Sequence, residues 1–79
     1  MTEQERILRS LERHGRRYNE WLLARVPLVG SRVLEVGAGI GTFTVAFAAR
    51  GLDVTAVEPD AELAAVLEER VRGLENVTV

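Results

Sequence analysis

Cysteine is absent from these 79 residues, and histidine occurs once, at His14. The first absence excludes a disulfide framework and a thiolate zinc site, and a lone histidine makes no metal cluster, so no metal site is expected. Long apolar runs are missing too. No stretch approaches the roughly 20 residues of a membrane span, and the start, Met1-Thr2-Glu3-Gln4-Glu5, is too acidic for a secretory leader. A cytoplasmic location is the expectation. A chain this short hides only roughly 60% of its unfolded surface on folding. Below about 70–80 residues a single core seldom supplies more than ~3–5 kcal/mol. With disulfides and metals set aside, a partner surface is the expected source of further stability.

What remains is the composition of an ordinary globular protein, 47% hydrophobic and 28% charged, with a formal charge of -2. The charge is unevenly placed, because Arg6, Arg9, Arg13, Arg16, Arg17, Arg25 and Arg32 all fall in the first part of the chain and leave the remainder acidic. An Arg-rich start could meet nucleic acid or an anionic substrate. Glu3, Glu5, Glu12 and Glu20 are interleaved with it, so a solvated helix face is the reading adopted and a nucleic-acid partner is not expected.

Two helices make a lead-in over residues 1–31. Thr2 and Glu5 have the spacing of a capping box, Ile7, Leu8 and Leu11 then share a helical face, and Gly15 is expected to stop the helix in a left-handed conformation. The second helix is expected from Arg17 or Tyr18 to Arg25, with Tyr18, Trp21, Leu22 and Val26 as its apolar stripe and Pro27 closing it. From Arg32 the pattern changes to a short apolar run, Val33-Leu34-Glu35-Val36, which reads as a strand feeding Gly37, Gly39 and Gly41. Thr42 is placed to cap the next helix, whose Phe43, Val45, Ala46, Phe47 and Ala49 leave it almost no polar face before Gly51. A second strand follows over Asp53–Glu58, alternating Val54, Ala56 and Glu58 against Thr55 and Val57. Asp60 is expected to cap a third core helix with Leu63, Val66, Leu67 and Val71 inward, Gly73 after it and Leu74 closing over its end. Asn76-Val77-Thr78-Val79 opens a third strand. Strands alternating with helices argue for a parallel sheet, because parallel neighbours need a long connection. The fold class is therefore α/β, with element order ααβαβαβ and residues 32–79 forming the sheet unit.

The turn Gly37-Ala38-Gly39-Ile40-Gly41 lies where a strand hands over to a helix, a place where backbone approaches a ligand closely. The dinucleotide fingerprint would want a sixth-position glycine, and the sequence has Thr42 there. Glu35 is a carboxylate inside an apolar strand. Burying it without a partner would cost several kcal/mol, so it is expected to face a polar or cationic ligand at the strand's carboxyl end, an exposed edge acid being the alternative. Glu58 ends the second strand about twenty residues beyond Gly37, the spacing at which an acid accepts hydrogen bonds from ribose hydroxyls.

The segment Val33-Leu34-Glu35-Val36-Gly37-Ala38-Gly39-Ile40-Gly41 resembles the first motif of the class I S-adenosylmethionine (SAM) dependent methyltransferases, and Val57-Glu58-Pro59-Asp60 is similar to their second. The resemblance runs from Arg32 to Val79, and Tyr18-Asn19-Glu20-Trp21 looks like the helical lead-in of some small-molecule members. It implies a Rossmann-like sheet that is truncated here to three strands, in the order 3-2-1. It implies that Gly37, Ala38, Gly39 and Gly41 pass the methionine part of SAM, that Glu35 lies near its amino group, and that Glu58 holds the ribose. Pro59 and Asp60 would flank the adenosine, and Tyr18 would cover the cofactor, with core packing as the competing role for Tyr18 and Trp21.

Such methyltransferases have a sheet of about seven strands, and this sequence stops in the third. The fourth-strand motif beside the methyl group is not in it, no catalytic residue is identified, and His14 reads as a surface residue. The expectation is a SAM-binding portion that is not catalytically competent alone, within an enzyme acting on a small-molecule acceptor. A nicotinamide or flavin half-domain, or a non-catalytic module, are the other readings. Because a fourth strand would pair with the first, the first strand is left with a bare edge at Val33, Leu34 and Val36. That edge is expected to drive self-association or recruit a partner strand.

Overall fold

A computed structural model describes residues 2–26 and 30–79. Its elements follow the expected order: α1 (Glu3–His14), α2 (Arg16–Arg25), β1 (Arg32–Val36), α3 (Thr42–Ala49), β2 (Asp53–Val57), α4 (Ala61–Arg70) and β3 (Val77–Thr78). The expected stop at Pro27 lies outside the described residues. Val26 before it is extended, with φ -69° and ψ 119°, as a residue preceding proline prefers. Among the described residues no helix is long and apolar enough to cross a membrane.

All strand pairs are parallel, with β2 between β1 and β3, so the order 3-2-1 holds. Val33 pairs with Val54 and Glu35 with Ala56 in the register. Those positions point inward, where Val54 and Ala56 join Phe47 of α3, Leu67 of α4, and Ala38 and Val71 in one cluster. The alternate row points the other way. Leu34 and Val36 are 69% and 75% exposed and Val57 is 44% exposed, so the far side of the sheet presents these apolar side chains beside Arg32, Asp53 and Thr55, uncovered among the described residues. The same holds for the outer edge of β1, which pairs with β2 alone.

Local signals at the helix ends divide into those that act as expected and those that do not. Thr2 Oγ1 accepts from the Glu5 amide at 3.0 Å, and Asp60 Oδ1 accepts from the Leu63 amide at 2.9 Å, so both act as caps. Gly15 does end α1, but with φ -100°, outside the left-handed region. Its glycine requirement is one of space: a Cβ there would lie 2.7 Å from the Leu11 carbonyl oxygen. Thr42 is not a cap. Gly41 occupies that position at φ 92°, and the Thr42 hydroxyl donates to Glu12 of α1 instead. Leu74 stays 37% exposed, and Val71, 6% exposed, fills the end of α4 in its place. β3 is shorter than the expected run, at Val77–Thr78, and the Asn76 carbonyl before it accepts from the Val54 amide while its side chain donates to the carbonyls of Ala48 and Leu52.

The stripe expected on α2 is also redistributed. Tyr18 and Trp21 are 63% and 50% exposed and stack on each other, with ring centroids 6.2 Å apart. The Arg25 guanidinium lies 4.0 Å over the Trp21 ring. Leu23 packs on the core instead. Core packing is therefore not the role of either aromatic.

Candidate functional site

The glycine turn is built by backbone that only glycine adopts readily. Gly37, Gly39 and Gly41 all have positive φ, at 75°, 60° and 92°. The amides of Gly37 and Ala38 both donate to the Val57 carbonyl, at 2.8 and 3.0 Å, which ties the turn to the carboxyl end of β2. Two of the glycines face different surroundings. A Cβ on Gly41 would meet Leu67 Cδ1 at 2.7 Å, in the core, whereas a Cβ on Gly37 would meet nothing within 4 Å. Gly41 is thus required by packing, and Gly37 by conformation beside open space.

Glu58 is brought against this turn. Its Oε1 accepts from the Gly39 amide at 2.7 Å and its Oε2 from the Asp60 amide at 2.9 Å. Each carboxylate oxygen has a second lone pair, so the group still offers two acceptor sites at the end of β2. Asp60 spends one oxygen on capping α4, and Pro59 between them is exposed.

Glu35 is half-buried and accepts a hydrogen bond from the Thr44 hydroxyl of α3. Burial pushes its carboxyl above the ordinary range, and the Thr44 bond draws it part of the way back. Thr44 was not singled out from the sequence. Its signal is visible in hindsight: it is a hydroxyl set between the apolar Phe43 and Val45 of α3, and the fold buries it fully.

A hollow of about 210 Å³ opens over the turn, walled by Glu35, Gly37, Ala38 and Gly39 on one side and by Leu8 and Asn19 of the helical lead-in on the other. A wider one of about 480 Å³ runs along β1 from Glu35 and Gly37 to Leu22 and Phe43. Glu35 and Gly37 border both. Glu58, Pro59 and Asp60 are not among the lining residues of either, and Glu58 meets the first hollow at its wall, through the Gly39 amide. Tyr18 lies outside both linings, and Asn19, its neighbour, is the residue α2 turns toward the turn. Among the described residues no group of three or more metal-ligating side chains occurs.

A family profile described as ribosomal RNA adenine dimethylase matches residues 18–79. The chain belongs to that family. It is a member of the class I SAM-dependent methyltransferases, as the two motifs suggest. Over 57 residues it is 44% identical to a ubiquinone biosynthesis O-methyltransferase of Xylella fastidiosa, covering 72% of this chain and 22% of that protein. It is 48% identical over 48 residues to ribosomal RNA small subunit methyltransferase A of Moorella thermoacetica, covering 61% and 17% of the two chains. Its fold matches the crystal structure of the glycopeptide N-methyltransferase MtfA with a TM-score of 0.64 and 27% identity, over 77% of this chain and 28% of that one. The same enzyme's complex with SAM matches with a TM-score of 0.59 and 29% identity, over 76% and 28%. The chain therefore spans between 17% and 28% of the length of these relatives.

Proposed function

We propose that this chain is the donor-binding part of a methyltransferase, in which SAM lies across the glycine turn with its amino-acid end toward Glu35 and its ribose on Glu58. The observation that carries this reading is the meeting of Glu58 with the Gly39 amide at 2.7 Å. It gives one turn an acid on each flank, Glu58 from β2 and Glu35 from β1. A neutral dinucleotide fingerprint has no use for the second acid, whereas the SAM amino group is a cation. The open space beside Gly37 fits a ligand backbone passing close to the turn.

SAM supplies a methyl group on a sulfonium, open to direct displacement by an acceptor lone pair. The chain's own residues position it. Thr44 fixes the Glu35 carboxylate through its hydroxyl, so the acid is aimed before a ligand arrives. Glu58 has two free lone pairs for the ribose diol while its other two hold the turn. Pro59 and Asp60 follow at the adenosine end, and Tyr18 reaches over the site if α2 tilts inward, since its ring now stacks on Trp21.

The relatives' names carry unlike acceptors, a ubiquinone pathway, a glycopeptide and ribosomal RNA. We read the stretch they share with this chain as the donor half. We assign a small-molecule acceptor, because the arginines of the lead-in are interleaved with acids and two of them, Arg9 and Arg16, pair with Glu5 and Glu20, which dilutes any field for a phosphate backbone. The family match itself favours an RNA acceptor as the second reading. Titration calorimetry with SAM, NAD and FAD tests the donor site: SAM should bind more tightly than the dinucleotides, and tighter NAD or FAD binding refutes the assignment. Filter binding of a structured RNA at about 50 and 200 mM salt separates the acceptors, since phosphate-driven binding falls by orders of magnitude over that range.

A further inference from the structure

The lead-in helix α1 has no fully buried residue, yet it sits directly on the glycine turn. Leu8 Cδ1 lies 3.4 Å from where a Gly39 Cβ would be, and Leu8, Leu11 and Glu12 form the α1 wall of the smaller hollow. Apolar contact alone holds it weakly, because Ile7 and Leu11 are 53% and 58% exposed. What fastens it is a polar knot at Glu12. Arg70, the last residue of α4, donates to Glu12 Oε2 at 2.7 Å through Nη1 and to Oε1 at 3.2 Å through Nη2. The same Nη1 reaches the Ile40 carbonyl of the glycine turn at 3.2 Å. The Thr42 hydroxyl donates to Glu12 Oε2 from the first turn of α3.

We infer that Glu12 and Arg70 are positioning residues that clasp α1 as the roof of the SAM site, over the amino-acid end of the donor and away from the ribose. The inference rests on the donor-site reading above. The geometry is specific: one carboxylate gathers α1, the start of α3 and the end of α4, and the guanidinium that holds it also touches the turn. The two-point Arg–carboxylate contact fixes direction as well as distance. The pair is partly shielded, at 27% and 31% side-chain exposure, and so escapes the full screening of a surface pair. Burial raises the Glu12 carboxyl and the bonds from Arg70 and Thr42 outweigh it, leaving the group below its ordinary range and ionised near neutrality.

The hollow under the roof is bordered by Glu35 and Gly37, whereas Glu58 does not line it and meets it only through the Gly39 amide. Loosening α1 should therefore weaken ligands that carry the amino-acid tail and spare those that lack it. A globally destabilised chain would weaken both alike.

The test uses the 79-residue chain and the variants Glu12→Ala, Glu12→Gln, Arg70→Met and Arg70→Lys. Hydrogen exchange should speed up by on the order of tenfold for the amides of α1 in Glu12→Ala and Arg70→Met, while those of β2 and the middle of α4 keep their protection. Glu12→Gln and Arg70→Lys, which keep part of the contact, should fall between. SAM affinity should drop on the order of tenfold in the two severe variants, and the affinity of 5'-methylthioadenosine, which has the nucleoside without the amino-acid tail, should not change. Unchanged α1 exchange, or an equal loss for both ligands, overturns the inference. Should the unmutated chain bind neither ligand, the donor-site reading fails, and α1 exchange alone then decides whether the clasp holds the helix.

Discussion

Replacing Glu58 tests the core of the proposed donor site, and its cost can be worked from two hydrogen bonds. The carboxylate takes the Gly39 amide at 2.7 Å and the Asp60 amide at 2.9 Å. Hydrogen bonds to a charged group contribute about 1.5–3 kcal/mol each. Glu58 is half-exposed, and water replaces part of what is lost, so the lower end of that range applies. Glu58→Ala should then lose roughly 2–3 kcal/mol of stability, out of the ~3–5 kcal/mol expected of a chain this size. Glu58→Gln keeps one acceptor oxygen and should lose about half as much. The effect on SAM is separate, because it uses the remaining lone pairs. One charge-assisted bond to a ribose hydroxyl is equivalent to at least about tenfold in affinity, so Glu58→Gln should weaken SAM by roughly that factor and Glu58→Ala by more. The assay is titration calorimetry at a low temperature where circular dichroism shows both variants folded. If folded Glu58→Ala binds SAM as tightly as the parent chain, the ribose role of Glu58 is wrong.

Other substitutions probe the scaffold, the second acid and the open edge. Gly41→Ala forces a Cβ to within 2.7 Å of the fully buried Leu67 at φ 92°. Left-handed strain of ~1–2 kcal/mol and overpacking of ~1–3 kcal/mol together rival the whole stability, so cooperative urea unfolding should disappear at 25 °C; a retained transition would contradict this. The folded Glu35 carboxyl lies above 4.5, so the stability linked to its protonated form is complete below that pH and is lost as pH rises through the folded value. Glu35→Gln should therefore gain in urea midpoint relative to the parent as pH rises above the ordinary carboxylate range, and it should abolish the fall in SAM affinity that acidification is expected to cause by protonating this carboxylate. Glu12 has the opposite sign: its folded value lies below 4.5, so its contribution is present above that pH and declines as pH falls through the folded value. In sedimentation at tens of micromolar, the chain should run heavier than 8.7 kDa, because the β1 edge and the exposed Leu34, Val36 and Val57 invite strand pairing; a monodisperse monomer with protected β1 amides would exclude that.

Much of the architecture was written along the chain. Period-2 alternation at Val54 and Ala56, the apolar runs before Gly37 and Gly51, and the Asp60 cap each depend on neighbours within a few residues, so the element order and the parallel sheet were legible. The Gly37 to Glu58 spacing anticipated that Glu58 reaches the glycine turn, because a strand, a helix and a second strand between them leave little freedom in where Glu58 arrives. Tertiary structure decided the partners. Thr44 became the ligand of Glu35, and Arg70, 58 residues away in sequence, became the ligand of Glu12. Gly15 is set by contact with a carbonyl and not by its backbone freedom, Thr42 turned from a cap into a donor to α1, and Tyr18 and Trp21 turned outward. Periodicity and turn chemistry are properties of a few consecutive residues, and the sequence states them directly. Which side chain meets a given carboxylate depends on how separate elements pack, and that is settled by the fit of the whole core.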